Sequence, residues 1–320
     1  MRGSGIDGLS AMPESRPLGA GLLQRPLLDF QGAALREYLR LNGVGWSEDP
    51  SNQHLNHDRT FVRHDIIPLR DQRWPEVGKR LLLTRRAMKS ARNLLEKLAD
   101  AYLQEHQEHP FVLSLIPEAP DCDLFKLALR RWIRLAGGPS LPAYRLETLC
   151  QQVLKAGANR HVSVNWDGWS LHLYQRKLWL CGQPGVSSCP SKSWTGDCAE
   201  IDLGSDVGRL VFRHGGGSGK QGLTADKFSV ACRSDTPETV ISHGGHHKSH
   251  KKLYQAAESP PWLSESIPLC RFDGELVALG DWCLSEKLTA WMSNNNISIS
   301  WKPGHPLLQY LHAQMHPGDG

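Results

Sequence analysis

The 320 residues carry a formal net charge of +4, and 40% of them are hydrophobic while 22% are charged. This composition is that of a globular chain long enough for two or three domains, and it excludes a disordered or fibrous protein. No apolar run approaches the roughly 18 residues of a membrane span, and the first residues lack the apolar core of a secretion signal. We therefore expect a cytoplasmic protein without a membrane partner, whose eight cysteines, none in a C-x-x-C pair, stay reduced.

The chain opens with Gly3-Ser4-Gly5-Ile6-Asp7-Gly8, which formally fits the G-x-G-x-x-G pattern of dinucleotide-binding proteins. That motif needs a strand before its first glycine, and only two residues precede Gly3. The segment is therefore predicted to be a loop. A short helix is predicted further on, over residues 35–40.

The stretch from Trp46 to Pro75 combines a turn, an arginine pair and the approach to a long helix. Asp49-Pro50-Ser51-Asn52 is typical of a turn. Arg59 and Arg63 are four residues apart, so a helix would place both guanidinium groups on one face, where they can clamp a phosphate or a carboxylate. The alternative is a pair of solvated arginines with nearby aspartates as partners.

Residues 79–107 are predicted to form a long helix, because apolar residues recur every seven positions and neither glycine nor proline interrupts 80–109. Arg85, Lys89 and Arg92 lie along another face of it. This basic stripe either follows phosphates or stays in water.

Two more helices are predicted, over residues 123–136 and 145–156. The first of them carries Arg130 and Arg131. A β-hairpin is then predicted over 162–173, with Asp167-Gly168 as its turn. Arg176 and Lys177 lie just beyond it and are either phosphate contacts or ordinary polar strand residues.

Residues 183–208 are rich in Gly, Ser, Pro and Asp and are interpreted as a linker. Short strands are predicted after it, with Asp273-Gly274 closing a second hairpin. These strands cover residues 210–213, 228–233, 267–272, 275–279 and 297–301.

Residues 243–252 contain four histidines and three lysines. A metal site is one interpretation, but H-G-G-H-H lacks the i, i+4 spacing that presents histidines from a helix. The favoured interpretation is a phosphate-binding loop. In it Gly244 and Gly245 let backbone amides approach an anion, while Lys248, Lys251 and Lys252 neutralise the charge.

These motifs together resemble the tRNA(Ile)-lysidine synthetase family. Between Trp46 and Pro75 the chain shows W-x-E-D-x-S-N, D-R-T-F-x-R and P-L followed by R-W-P, which is the family's order, with Thr60 where the family usually has Asn. Arg2 to Met12 resembles a segment late in the family's nucleotide-binding domain. The C-terminal part adds Pro260-Pro261-Trp262, Ile267-Pro268-Leu269 and Gly274-Glu275-Leu276.

The resemblance implies an α+β multidomain fold. It comprises the remnant of an α/β nucleotide-binding domain, a middle domain of helices and a β-hairpin, and a β-rich C-terminal domain. The expected boundaries are 1–57 for the remnant of the PP-loop ATP pyrophosphatase domain, 58–109 for connecting helices, 110–182 for the middle tRNA-recognition domain, 183–208 for the linker and 209–315 for the C-terminal tRNA-binding domain.

The resemblance also implies an ATP- and magnesium-dependent carbon–nitrogen ligase. Such an enzyme joins free lysine to C2 of the wobble cytidine in an isoleucine tRNA with a CAU anticodon, so that the tRNA reads AUA instead of AUG. Arg59 and Arg63 are the implied catalytic residues, and a homodimer is one implied assembly. The implied tRNA-binding residues are Arg130, Arg131, Arg176, Gly244, Gly245, Lys248, Lys251 and Lys252.

Two motifs of the family do not occur among the 320 residues: the S-G-G-x-D-S loop that holds pyrophosphate and the H-x-x-D-D-x-x-E-T segment. His214 to Lys220 only superficially resembles a Walker loop, since Gln221 stands where the Ser or Thr ligand belongs. The chain alone is therefore expected to be inactive and not to bind ATP tightly. The alternatives are a noncatalytic tRNA-binding protein, an inactive fragment, or a histidine-rich metal-binding module.

Overall fold

The computed structural model of the chain contains two compact units, residues 1–100 and 101–320. It describes residues 6–19, 21–47, 58–115, 122–155, 162–182, 185–194, 199–214, 228–235, 240–243 and 246–316. Helices and several separate sheets occur together, which confirms the predicted α+β multidomain class. Among the described residues, no helix combines the length and the apolarity that crossing a membrane requires.

The first unit contains short elements before its long helix. They are α1 (Ile6–Leu9), β1 (Ser15–Leu18), β2 (Gly21–Gln24), α2 (Gly32–Leu41), α3 (Asp58–Phe61), a π-helical segment (Val62–Ile66) and α4 (Ile67–Arg73). The strands β1 and β2 form an antiparallel hairpin, and α2 contains the helix predicted over 35–40. No side chain of α2 is buried. The predicted turn at 49–52 and residues 3–5 of the predicted loop at 3–8 lie outside the described residues, whereas residues 6–8 of that loop belong to α1 and are helical.

The long helix α5 (Val77–His106) agrees with the predicted helix over 79–107. Its 30 residues span about 45 Å at the usual rise of a helix. The basic stripe on α5 pairs with polar residues of the first unit, although Lys89 and its partner both remain about half exposed. The pairs are Arg85 with Asp29 (3.6 Å), Lys89 with Glu14 (2.7 Å) and Arg92 with the hydroxyl of Ser10 (3.2 Å).

A helix pair and a five-stranded sheet begin the second unit. The elements are β3 (Gln107–His109), β4 (Val112–Ser114), α6 (Cys122–Leu135), α7 (Ala143–Lys155), β5 (Val162–Trp166), β6 (Trp169–Tyr174) and β7 (Lys177–Cys181). The antiparallel strand order is β3-β4-β7-β6-β5. The predicted helices and the hairpin β5–β6 are confirmed, and Asp167 and Gly168 both have positive φ, as a two-residue type I′ turn requires.

The helix pair and the five-stranded sheet enclose one of the two apolar cores of the second unit, and the apolar face of α6 forms its centre. Phe125, Leu129 and Trp132 are fully buried there. The buried indole N–H of Trp132 donates to the carbonyl of Pro110 at 2.8 Å. The burial of this large side chain therefore leaves no polar group unsatisfied on the ring.

The rest of the second unit is β-rich, as predicted, and adds three helices. Its elements are β8 (Lys192–Ser193), β9 (Glu200–Asp202), β10 (Arg209–His214), β11 (Phe228–Ala231), β12 (Val240–His243), β13 (His246–Ser249), α8 (His250–Ala256), a 3₁₀ turn (Pro261–Ser266), β14 (Leu269–Phe272), β15 (Glu275–Leu279), β16 (Cys283–Leu284), α9 (Glu286–Asn295), β17 (Ile297–Lys302) and α10 (Pro306–Met315). They form a five-stranded sheet β16-β15-β14-β11-β8, a three-stranded sheet β17-β10-β9 and the hairpin β12–β13. The five predicted strands lie within or overlap β10, β11, β14, β15 and β17.

The described parts of residues 183–208 are not a linker, and this interpretation is corrected. They contain β8 and β9, and apolar side chains among them are buried in the C-terminal core. The buried residues are Cys189, Trp194, Ile201, Leu203 and Val207. Their spacing among Gly, Ser, Pro and Asp follows neither period 2 nor period 3.6, so the segment has the composition of a linker although it supplies core residues.

Candidate functional site

A cleft of about 470 Å³ opens in the second unit beside the turn that joins β6 to β7. One wall comes from this turn and β7, and the others come from β13, α8, the start of β16 and α10. The lining combines aromatic rings with two lysines and one glutamate. These residues are Tyr174, Trp179, Trp282, Tyr310, Lys177, Lys248 and Glu258.

Lys177 is held by an internal ion pair on the wall of the cleft. Its ammonium group lies 2.7 Å from the carboxylate of Glu108 and 3.1 Å from the hydroxyl of Tyr310. Glu108 also accepts hydrogen bonds from Tyr310 and from Ser114. Because the charge of Lys177 is neutralised inside the protein, its suggested role as a phosphate contact is not supported.

The pKa values of this network follow from the same contacts. Burial alone raises the pKa of Glu108, but hydrogen bonds from Lys177, Ser114 and Tyr310 bring it below 4.5. Burial lowers the pKa of Lys177, and the bonds to Glu108 and Tyr310 raise it above 10.5. Burial, with the neighbouring Glu108, raises the pKa of Tyr310 to about 12. The ion pair therefore stays charged, and Tyr310 stays neutral, at physiological pH.

Trp179 stands between the ion-pair network and a second aromatic group. Its ring meets Tyr310 edge-on at 5.7 Å and Trp262 edge-on at 6.4 Å, and His172 stacks on Trp262 at 4.2 Å. The buried indole N–H of Trp179 has no hydrogen-bond partner within the described part of the chain. In this aromatic wall Trp179 and Tyr310 are packed in the core, 3% and 9% exposed, while the half-buried rings of Tyr174 and Trp282 face the cleft with accessible surface.

The structure brings several of the predicted tRNA-binding residues to this cleft. Arg176 lies exposed in the β6–β7 turn, directly between two lining residues, and Lys248 lines the opposite wall. Lys251 and Lys252 are exposed on α8, the helix that forms part of that wall. Gly244 and Gly245 lie outside the described residues, as do the side chains of the four neighbouring histidines.

Arg130 and Arg131 belong to another surface. Both lie on α6, where Arg130 is exposed and Arg131 is half-buried, and neither lines the cleft. The cleft itself joins residues from the middle and C-terminal predicted domains.

Arg59 and Arg63 lie on a helical stretch, as predicted, although its geometry is not that of a regular α-helix. Arg59 belongs to α3, and its side chain lies outside the described part of the structure. Arg63 belongs to the π-helical segment. The backbone N–H of Ile67 bonds to the carbonyl of Val62, which is the i to i+5 pattern of a π-helix and alters the angular spacing of side chains. Arg63 is exposed, and no ion pair joins it to another described residue.

The sequence interpretation missed one cluster of polar side chains. Asp281, His312 and His316 converge at the end of α10, with ligand-type atoms all within 4.8 Å of one another. The i, i+4 spacing of the two histidines was visible in the sequence. The aspartate, some thirty positions earlier in the chain, was not linked to them by any local pattern.

The ATP and magnesium that the resemblance implies find no matching group in the described residues of the first unit. There, no three carboxylate or imidazole groups converge. The sequence likewise contains neither the S-G-G-x-D-S loop nor the H-x-x-D-D-x-x-E-T segment. No catalytic step through ATP or magnesium is therefore assigned to these residues.

A cleft with accessible aromatic rings and with exposed lysines on or beside its wall, Lys248, Lys251 and Lys252, is a feature of nucleic-acid-binding proteins. Family models match three parts of the chain in order. A PP-loop domain matches residues 1–70, a TilS substrate binding domain matches 123–179, and a TilS substrate C-terminal domain matches 228–301.

Curated relatives extend the match to most of the chain. The chain is 32% identical to a tRNA(Ile)-lysidine synthase of Methylococcus capsulatus, over 95% of this chain and 70% of the relative. It is 31% identical to that of Alkalilimnicola ehrlichii, over 100% of this chain and 69% of the relative, and 30% identical to that of Xanthomonas axonopodis, over 94% and 68%. The chain belongs to the tRNA(Ile)-lysidine synthase family, the family that its motifs resemble.

Proposed function

We propose that this chain serves lysidine formation, in which lysine is ligated with ATP to C2 of the wobble cytidine of tRNA(Ile) carrying a CAU anticodon. The product reads AUA instead of AUG. The observation that carries the proposal is the name of the curated relatives, which match 94–100% of this chain. The ordered PP-loop and substrate-domain matches support the same conclusion.

Within this function, the second unit holds the tRNA at the cleft. Arg176, Lys248, Lys251 and Lys252 supply positive charge around it, and phosphate contacts of this kind give affinity without reading sequence. The half-buried rings of Tyr174 and Trp282 in the aromatic wall offer stacking to an unpaired base. Arg130 and Arg131 on α6 provide a second contact to the tRNA backbone, and Gly244 and Gly245 complete the loop beside Lys248.

Arg59 and Arg63 are proposed to stabilise negative charge on the nucleotide or on the reacting cytidine. The exposure of Arg63, and the absence of a described carboxylate paired with it, are consistent with a side chain available to a ligand. Lysine is the second substrate of the proposed reaction.

The 320 residues by themselves are proposed to bind tRNA but neither to bind ATP tightly nor to form lysidine. This part of the proposal rests on the two catalytic motifs that these residues do not contain. The same observation keeps a noncatalytic tRNA-binding protein as the second candidate function.

Calorimetry with ATP and magnesium, followed by a lysidine assay with labelled lysine and tRNA(Ile), tests whether these residues bind tRNA without binding ATP or forming lysidine. We expect tRNA binding, no ATP binding at micromolar concentration and no labelled product. Micromolar ATP affinity would overturn the statement about ATP. Failure to bind tRNA would overturn both candidate functions.

A further inference from the structure

The last helix of the chain, α10, ends at a cluster of three side chains of the types that bind transition metals. His312 and His316 are four residues apart, and their Nε2 atoms lie 2.9 and 3.0 Å from the same oxygen, Oδ1 of Asp281. Asp281 lies in the turn after β15. Two imidazole nitrogens and one carboxylate thus converge on one point.

We propose that Asp281, His312 and His316 form a binding site for one divalent transition-metal ion, with zinc as the best-matched ion. Imidazole nitrogen and carboxylate oxygen are ordinary zinc ligands, and three protein ligands with one open position is a common zinc arrangement. Histidines at i and i+4 present their nitrogens on one face of a helix. The site is distinct from the histidine-rich segment 243–250.

The two nitrogen–oxygen distances require little movement to admit an ion, and the two nitrogens lie within 4.8 Å of each other. A tetrahedral zinc ion with ligands at about 2.1 Å keeps neighbouring donor atoms about 3.4 Å apart. The two observed nitrogen–oxygen distances are therefore short by only a few tenths of an ångström. Each Nε2 lies at hydrogen-bonding distance from the carboxylate oxygen; a bound ion would occupy the space between them, and each neutral imidazole would then carry its proton on Nδ1.

The core holds Asp281 in position. The backbone N–H of Trp301 donates to Oδ2 of Asp281 at 2.8 Å, and the indole of Trp301 in turn donates to the carbonyl of Val207. Burial raises the pKa of Asp281, but hydrogen bonds from His312, the Trp301 amide and His316 lower it below 3.8, so the ligand is an anion. Ligands fixed by surrounding bonds in this way favour metal affinity.

An ion has a path into the site. The side chain of Asp281 is 8% exposed, but those of His312 and His316 are 24% and 28% exposed. The two histidines therefore form an open edge at which water completes the coordination. A bound ion would link the end of α10 to the turn before β16, so metal and folding stability are coupled.

The test is titration of zinc alone into the full chain after removal of metals, with the melting temperature measured in parallel. We expect one equivalent bound and a rise in melting temperature. His316→Gln and Asp281→Asn should each weaken binding at least tenfold, and Asp281→Asn keeps an acceptor for the Trp301 amide. His316 lies at the end of α10 and half-buried, so His316→Gln leaves the buried core unchanged.

The control variant is His246→Gln/His247→Gln, which removes two histidines of the other histidine-rich segment and should bind zinc as the wild type does. Cobalt substitution should give the visible absorption of nitrogen and oxygen ligands. The proposal is wrong if the wild type takes up no zinc or if His316→Gln binds it normally. It is also wrong if the cobalt spectrum shows thiolate ligands, or if the control variant alone loses the ion.

Discussion

Glu108 connects three elements of the second unit through one side chain. It lies on β3 and accepts hydrogen bonds from Lys177 on β7 and Tyr310 on α10. Its lowered pKa and the raised pKa of Lys177 mean that the folded state favours both charges. The stabilisation by Glu108 is present above its unfolded pKa of 4.5 and is lost as pH falls through the lower folded value.

Glu108→Gln should therefore lower the free energy of unfolding at pH 7 by about 1 kcal/mol, a modest value because a third of the side chain is exposed. The difference from the wild type should persist through neutral pH and shrink below pH 4.5. Urea unfolding at several pH values measures it.

Glu275→Gln is the matched control for this prediction. Glu275 also pairs with a lysine, Lys287, at 2.6 Å, but its side chain is 68% exposed. Such a surface pair contributes little. An equal loss of stability in both variants, or a Glu108→Gln effect that grows in acid, would contradict the role assigned to Glu108.

The lysines of α8 make a second prediction at the scale of single residues. Lys251→Ala/Lys252→Ala should weaken tRNA binding and lower the slope of log K against log salt by about 1.4 to 1.8, since each lost phosphate contact removes about 0.7 to 0.9. Binding is measured by filter retention over a range of salt concentrations. Lys287→Ala, which removes an exposed lysine that pairs with Glu275, should leave the slope unchanged. An unaltered slope in the double variant would mean that these lysines only face water.

The turn between β6 and β7 has a strained backbone at the proposed tRNA-binding surface. Gln175 and Arg176 have φ values of 46° and 60°, in the left-handed region that glycine adopts more easily. Two other two-residue turns in the described part of the second unit use Asp-Gly at these positions, at 167–168 and 273–274. An arginine at the second position of the turn thus costs stability.

Arg176→Gly should raise the melting temperature by about 1 to 3 °C, because it relieves this strain, while it weakens tRNA binding. Arg176→Ala removes the same charge and keeps the strain, so it should weaken tRNA binding equally without raising the melting temperature. Thermal unfolding and tRNA titration of both variants measure the two effects. If glycine weakened the fold, or if neither variant changed tRNA binding, this account of the turn would fail.

Elements with a clear local pattern were predictable, and the rest were not. The hairpin β5–β6 alternates apolar and polar residues around Asp-Gly, so its register followed from the sequence. Strands β3 and β4 have only three residues each, and they become strands because β4 pairs with distant β7 and β3 pairs with β4. The segment 183–208 was misinterpreted for a related reason, since its buried side chains are defined by β11 and β10 beside them.

The two units differ in how many of their apolar side chains are buried. In the described part of residues 6–47 only Ser10 is buried, and Leu22, Leu27 and Phe30 are more than half exposed. The second unit contains two extended apolar cores. Local stability therefore differs between the units.

Limited trypsin digestion should remove residues 1–57 while residues 101–320 remain intact. Apolar residues that stay in contact with water contribute little to local stability, so residues 1–57 should unfold locally often and expose their cleavage sites to trypsin. Mass spectrometry of the surviving fragment identifies the cut sites. Equal resistance of the two regions would show that residues 1–57 are more stable than their burial indicates.

The functional site was predictable only where charge and spacing marked it in the sequence. Lys248, Lys251 and Lys252 lie close together in the chain, and Arg176 was named with them, but nothing local indicated that the β6–β7 turn and α8 line one cleft. The aromatic wall was missed for the same reason. Trp179 and Tyr310 are separated by more than a hundred residues and meet through tertiary packing.

Ultraviolet crosslinking of the full chain to tRNA(Ile), with the crosslinked peptides identified by mass spectrometry, tests most directly whether the second unit holds the tRNA. The groups expected to contact the nucleic acid are the half-buried rings of the cleft and the exposed basic residues around it, Arg176, Lys248, Lys251 and Lys252. We predict crosslinks within residues 172–179 and 248–257, and their loss when Arg176, Lys248, Lys251 and Lys252 are all replaced by alanine. Crosslinks confined to residues 1–100, or a pattern that this fourfold replacement does not change, would contradict the account.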